Sequence, residues 1–318
     1  NMTILAPDTL SERTANCYEL LGLAEEIQDE TLRFDAAFHR GGTALEAGDA
    51  EAANDMVDLA ARTAGRLRQP RFLWQARLMQ TAQAVFRGAL DDAAFFADEA
   101  LELGRRAGQG TDAFVFHSEQ TMEIHRWQGR LSEHEEQLRS LAGQREWDFG
   151  YALTRYLYEA GDTDTAGAIY HRIVVAGFLP LRRDMLAAPA LYNLAFLAAR
   201  EGDKDTAIGL RDALTPFADS FANTTVAKAV GWHYLGMLSA TIGELDEAEA
   251  NLEKAVAIHD LVGAPLFRAE SEIELARLAN DRGDRTTAGA LLERASATAE
   301  SRGAALLTRA CATLLSSE

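Results

Sequence analysis

Seven histidines, two cysteines and 49 acidic residues supply material for metal or acid–base chemistry, so their spacing decides what they do. His134-Glu135-Glu136-Gln137 begins like a zinc-protease helix. That helix needs a second imidazole four residues after the first, so that both point at one ion. Here the fourth residue on is Leu138. His117 and His125 lie eight apart, with Glu119 and Glu123 between them. Residues so spaced can share a helix face, but a metal needs them to converge on one point, a stricter demand. No metal site is expected. The chain has no Gly-x-Ser-x-Gly elbow, and neither Cys17 nor Cys311 sits in a Cys–His arrangement. None of Lys204, Lys228 and Lys254 follows a glycine, which excludes a phosphate-binding GxxxxGK[ST] loop. Asp91-Asp92 and Glu135-Glu136 fall at expected helix starts, where carboxylates favour the macrodipole without any catalytic role. No catalytic residue and no cofactor is expected.

What remains is recognition. The net charge is −18, which opposes nucleic-acid phosphates and anionic membrane surfaces alike. Two cysteines near opposite ends, with no apolar run of spanning length, point to a cytoplasmic chain without disulfides. Against that acidic background Arg126 and Arg155 stand out as donors for a carboxylate or phosphate, although Glu123 lies three residues before Arg126 and can neutralise it. Tyr151, Tyr158 and Tyr192 offer aromatic faces for a peptide or sugar ring. Trp74, Trp127, Trp147 and Trp232 read as core.

These side chains must be positioned by helices. Residues Gly231 to Asp260 read as two antiparallel helices with a break at Gly243. Trp232, Leu235, Gly236, Gly243, Ala248 and Ala255 occupy the spacings of the tetratricopeptide (TPR) pattern. Gly236 allows close backbone approach, Gly243 permits φ > 0, and the alanines are small where helices cross. The glycine with an alanine five residues on recurs as Gly48/Ala53, Gly88/Ala93, Gly161/Ala166, Gly202/Ala207 and Gly283/Ala288. Gly129 keeps the register with His134 in the alanine place. Intervals between these glycines are 40, 41, 32, 41, 41 and 40, longer than an ordinary TPR of roughly 34, so helices longer by a turn or two are expected.

The fold class read from this pattern is all-α: a right-handed α-solenoid of about seven TPR-like hairpins with terminal capping helices. Residues 1–28 form a lead-in and packing helix, and the lead-in reads as the cut edge of a longer protein. Units follow at about 29–66, 69–107, 110–145, 147–178, 184–222, 225–262 and 264–302, and a capping helix closes the chain at 303–318. The second helix of unit three is short and polar, which predicts a kink near Gly143 to Phe149, and Ala176 to Asp184 reads as the longest loop. One continuous superhelical domain is expected.

From Gly161 onward the sequence resembles the MalT-like helical arrays of bacterial signal-transduction proteins. The residues that carry this are Gly177-Phe178 with Arg182-Arg183-Asp184, then LAFLAAREGD, ALTPFAD, GWHYLGMLSATIGELDEAEANLEKAVAIHDLVGAP and RAESEIELARLANDRGD. The resemblance implies an array that follows a P-loop ATPase module, with a nucleotide-cyclase domain before it or a LuxR-type DNA-binding domain after it. Neither a P-loop nor a helix-turn-helix pattern occurs here, so no catalytic residue carries over.

In a TPR superhelix the first helix of each unit lines the concave face. Counting thirteen, ten, six and three residues back from the turn glycine gives Phe116, Glu119, Glu123 and Arg126 in unit three and Asp148, Tyr151, Arg155 and Tyr158 in unit four. Units five and six add Tyr192, Phe196, His233 and Met237. The competing reading fills these positions with inter-repeat contacts and pairs the arginines with nearby acids. The function expected is a non-enzymatic regulatory scaffold that binds a peptide or partner domain, which can be another part of the same polypeptide, in this groove. The alternatives are a small-molecule sensor of the oligosaccharide-binding kind, an enzyme with its site inside the superhelix, for which the sequence offers no nucleophile–base pair or metal constellation, and self-association into a homo-oligomer through the end repeats.

Overall fold

The computed structural model describes residues 9–142, 150–177, 187–223 and 225–316. Sixteen α-helices fill most of them: α1 (Leu10–Glu26), α2 (Glu30–Glu46), α3 (Ala50–Leu67), α4 (Pro70–Phe86), α5 (Leu90–Arg106), α6 (Gly110–Trp127), α7 (Glu135–Ala142) and α8 (Gly150–Ala160). The series continues with α9 (Thr163–Val175), α10 (Ala187–Glu201), α11 (Lys204–Leu214), α12 (Gly231–Ile242), α13 (Leu245–Leu261), α14 (Pro265–Asp281), α15 (Arg285–Ser301) and α16 (Ala305–Ser316). They pack in consecutive pairs, and the fold class is the all-α helical-repeat solenoid.

The turn chemistry sets the repeat. Each of the seven turn glycines (48, 88, 129, 161, 202, 243 and 283) has positive φ, from 66° at Gly202 to 100° at Gly243. At Gly243 the following amide, Glu244 N–H, donates back to the Ser239 carbonyl at 2.9 Å, closing the end of α12 as αL caps do. Where aspartate follows the turn glycine it caps the next helix: Asp49, Asp162, Asp203 and Asp284 each accept a backbone N–H through their carboxylates. Positive φ recurs between hairpins as well, at Gly108, Gly177, Gly263 and Gly303. The 40-residue period is therefore two 20-residue steps, each a helix of about 17 residues and a three-residue reversal. The step is strict enough to force non-glycines: Gln28 at φ 56° and Arg68 at φ 54° complete the series 28, 48, 68, 88, 108.

The alanines behave as small crossing residues. Ala53, Ala93, Ala166, Ala207, Ala248 and Ala288 are all buried. A Cβ on Gly236 would come within 2.5 Å of Leu252 Cγ, so that crossing requires glycine.

Irregularity is confined to the middle of the chain. The second helix of hairpin three is a 3₁₀ turn, Leu131–His134, followed by the eight-residue α7. The expected helices at the end of unit five and the start of unit six are shortened. Pro216, which lacks an amide hydrogen, sits in a 3₁₀ turn at Thr215–Phe217 that ends α11. A two-stranded sheet follows, β1 (Phe221–Asn223) and β2 (Ala227–Val230), with β-branched Thr225 and Val226 in the connection between them, and α12 begins only at Gly231. The kink expected near 143–149, Trp147, and most of the loop expected at 176–184 lie outside the described residues.

The chain divides into two compact units. Unit 1 comprises Asn1–Ile124 and Asn223–Ala227, and unit 2 comprises His125–Ala222 and Lys228–Glu318. In unit 1 the core alternates aromatics on first helices with alanines on second helices. Phe34, Ala37, Phe72 and Ala76 enclose Ala60 and Ala64, with Phe34 edge-on to Phe72 at 4.9 Å. Trp74 packs with Ala100 and Ala113 in a second cluster. In unit 2, Trp127 is fully buried, edge-on to Phe267 at 5.5 Å. Trp232, expected in the core, is half-buried, with Lys254 Nζ 3.6 Å above its ring and Asp219 accepting its indole N–H.

Candidate functional site

The first helices of unit 2 converge on a buried ionic cluster. Arg126 at the end of α6 donates through Nε and Nη2 to the Glu159 carboxylate of α8 at 2.5 and 2.9 Å. Its Nη2 also reaches Glu270 Oε1 of α14 at 2.6 Å. Arg155 of α8 donates to the same Glu270 oxygen at 2.5 Å, to Glu159 at 3.2 Å and to the Tyr234 hydroxyl of α12 at 3.1 Å. Arg200 of α10 pairs with Glu274 of α14 at 2.5 Å. Arg126, Arg155 and Arg200 thus meet Glu159, Glu270 and Glu274, with Arg277 Nε a further 3.5 Å from Glu274. Phe196 carries Arg155 and Arg200 over its ring, at 4.4 and 4.8 Å.

The electrostatics follow from that pairing. Burial opposes charge on Glu270, but Arg155 and Arg126 outweigh it and hold its carboxyl well below the usual range. Burial raises Glu274 as well, and Arg200 and Arg277 more than reverse this. Burial and Arg126 disfavour the charge on Arg155, while Glu159 and Glu270 restore it, so its pKa lies above the ordinary value. Burial pushes the Tyr234 phenol up to about 12. Arg155, Arg200, Glu270 and Glu274 therefore stay charged at neutral pH.

Beside the cluster runs a buried relay of neutral imidazoles. Val230 N–H donates to His259 Nε2 at 3.1 Å, which leaves the proton on Nδ1, facing Ser271 Oγ at 3.3 Å. Ser271 Oγ meets His233 Nδ1 at 2.9 Å. Burial lowers His233, and burial with the neighbouring His233 lowers His259 to about 3. The relay ties α12, α13 and α14 together without reaching solvent.

Two features make unit 2 more than a row of neighbours. In a solenoid each repeat touches only the next. Here hairpin three touches hairpin seven, through Arg126–Glu270 and Trp127–Phe267, and Arg309 of α16 donates to the Gly129 carbonyl. The first-helix face of unit 2 is closed on itself.

This closure decides where the expected groove residues go. Arg126, Arg155, Tyr192, Phe196, His233 and Met237 are buried rather than lining an open groove. Tyr192 stacks on Tyr234 at 4.4 Å, and its hydroxyl donates to the Phe217 and Ser220 carbonyls. Tyr151 and Tyr158 are half-buried, with Tyr158 edge-on to Phe196. In unit 1, Glu123 is buried, while Phe116 and Glu119 are half-buried, Glu119 accepting from Thr225 Oγ1 at 2.8 Å. Asp148 lies outside the described residues. Sequence reasoning missed Glu159, Arg200, Glu270 and Glu274. Glu159 stands four residues after Arg155, and Glu270 stands thirteen before Gly283, so carrying the same count into hairpin seven finds it.

The candidate metal histidines go to separate partners. His117 pairs with Asp98 at 2.9 Å and His125 with His134 at 2.8 Å. Among the described residues no group of three or more His, Cys, Asp or Glu is arranged to hold a metal. Cys17 and Cys311 are free and buried, and no described helix is long and apolar enough to cross a membrane.

No family model matches the chain, and no curated protein is similar to it. A solved structure, that of BtubC (BKLC) from P. vanneervenii, matches over 92% of this chain and 91% of its own, at 17% identity and a TM-score of 0.28. A likeness at that level carries no argument about fold or function.

Proposed function

We propose that the chain is a non-enzymatic interaction scaffold, the TPR region of a bacterial cytoplasmic signalling or transcription-regulatory protein, and that it binds a peptide or partner domain through the first helices of unit 1. The observation that carries this is the state of one face in unit 1. Thirteen residues before successive turn glycines stand Asp35, Gln75 and Phe116, and ten before stand Phe38, Leu78 and Glu119; all six are half-buried. In unit 2, Tyr192, His233 and Glu270 hold equivalent places and are buried, bonded to the Phe217 carbonyl, Ser271 and Arg155 respectively. A partner therefore finds half-open apolar and acidic side chains on α2, α4 and α6, a mixture suited to an extended or helical segment with basic residues.

Selection from a random peptide display library tests this. Bound peptides should lose about tenfold or more in affinity when Asp35 and Gln75 are both replaced by Arg, through like-charge repulsion of basic partners, with the melting temperature little changed. Equal affinity in the double variant rejects this face, and failure to select any peptide rejects the scaffold reading.

A further inference from the structure

A concavity of about 270 Å³ opens in unit 2 where the closure is made. Its walls are the turn of hairpin three (Gly129, Leu131, Ser132), the end of α8 with Arg126 behind it (Glu159, Ala160, Gly161), and Leu306 and Arg309 of α16. Charge accounting singles out Arg309. The Glu159 carboxylate already serves Arg126 and Arg155. Arg309 donates from both Nη1 and Nη2 to one neutral acceptor, the Gly129 carbonyl, at 3.2 Å each. A guanidinium has five N–H donors, so three remain. Among the described residues no carboxylate pairs with Arg309, although most unit 2 arginines, including Arg130, Arg139, Arg211, Arg268 and Arg282, have one. The exposed Ser132 adds a hydroxyl, and Leu131, Ala160 and Leu306 supply apolar wall.

We infer that this concavity binds a small organic carboxylate. Its oxygens accept from Arg309 and Ser132, and its short apolar body lies against Leu131 and Leu306. The volume sits just below the range of about 300–1,000 Å³ typical of ligand pockets, which limits the ligand to a metabolite-sized molecule. The surplus positive charge, in a chain of net charge −18, selects a monoanion. Arg309 and Gly129 belong to the two ends of the closed unit, so a ligand held between them binds the closed state and stabilises it. The inference is independent of the peptide-binding face on unit 1.

The test is calorimetric titration and thermal shift of the full chain with straight-chain monocarboxylates of two to six carbons, against sodium chloride of equal ionic strength and against inorganic phosphate. A ligand of this size is held with a Kd of about 1 mM. At least one carboxylate should raise the melting temperature and bind about tenfold more weakly to Arg309→Gln, with Ser132→Ala losing less. Arg309 and Ser132 are exposed, so both variants fold, and the melting curve without ligand checks this. No shift with any carboxylate, equal binding by Arg309→Gln, or a response to phosphate alone overturns the assignment.

Discussion

Units 1 and 2 are built from the same 20-residue step, yet they treat the inner face of their first helices in opposite ways. In unit 1 that face is half-open, and its core is made of aromatics against alanines, as at Phe34 and Phe72 with Ala60 and Ala64. In unit 2 it is filled by six charges, two stacked tyrosines and two neutral histidines, and hairpin seven is bonded back to hairpin three. The difference teaches that the repeat signature fixes how a helix pair turns and crosses, and leaves open whether the surface so formed is a groove or a core. In unit 1, Asp35, Gln75, Phe38 and Leu78, thirteen or ten before their turn glycines, stay half-exposed; in unit 2, Glu270, thirteen before Gly283, meets Arg126 and Arg155, three and six before theirs, and is buried with them.

The largest test of this contrast removes Glu270. Glu270→Ala removes the carboxylate that two buried guanidinium groups share, and should cost about 3–5 kcal/mol in chemical denaturation. Glu119→Ala on the half-open face of unit 1 removes contacts that are partly in water, the Thr225 hydrogen bond among them, and should cost less, about 1 kcal/mol. Equal costs would erase the distinction between the two units.

Acid sharpens it next. The folded-state pKa of His259 lies below its unfolded value, so the unfolded chain binds the proton first as pH falls. Its contribution to stability is complete above about pH 6.5 and is lost progressively toward pH 3. At pH 5 the loss is about 2 kcal/mol. Glu270 and Glu274 are also lowered, so their contribution is present above the unfolded value of 4.5 and falls away below it. Denaturation followed at pH 7 and pH 5 should show this loss, and His259→Asn should flatten the first part of the dependence. A variant with the wild-type pH dependence would detach the relay from acid lability.

The smallest effect probes what the units share. Arg68 holds a left-handed conformation because the 20-residue step demands a reversal there. Arg68→Gly should stabilise the chain by about 0.5–1 kcal/mol, the relief of side-chain strain being partly offset by a more flexible unfolded state. No gain, or a loss, would mean that the step tolerates residues with a Cβ without strain.

These outcomes bear on what the sequence makes legible. Helix pairs and their turns were readable because the signals are local: Gly48-Asp49 and Gly283-Asp284 end one helix and cap the next within three residues. Arg126 and Arg155 were readable as unusual cations, but Glu270 lies 144 residues beyond Arg126 and no local periodicity announces their meeting. Glu159, two residues before its turn glycine instead of three, reaches the same centre from a slightly rotated place on the helix. The short sheet at 221–230 was hidden because three or four residues between helices carry little pattern of their own, with Pro216 the clearest local hint.

The first-helix face is half-open in unit 1 and closed in unit 2. Cysteine accessibility tests it most directly. With the buried Cys17 and Cys311 replaced by Ala, single Gln75→Cys and Met237→Cys chains are exposed to a thiol reagent under native conditions. The thiol at 75 should react promptly, and the thiol at 237 only as fast as the chain unfolds. Prompt labelling at 237, or equal protection at both positions, would contradict it.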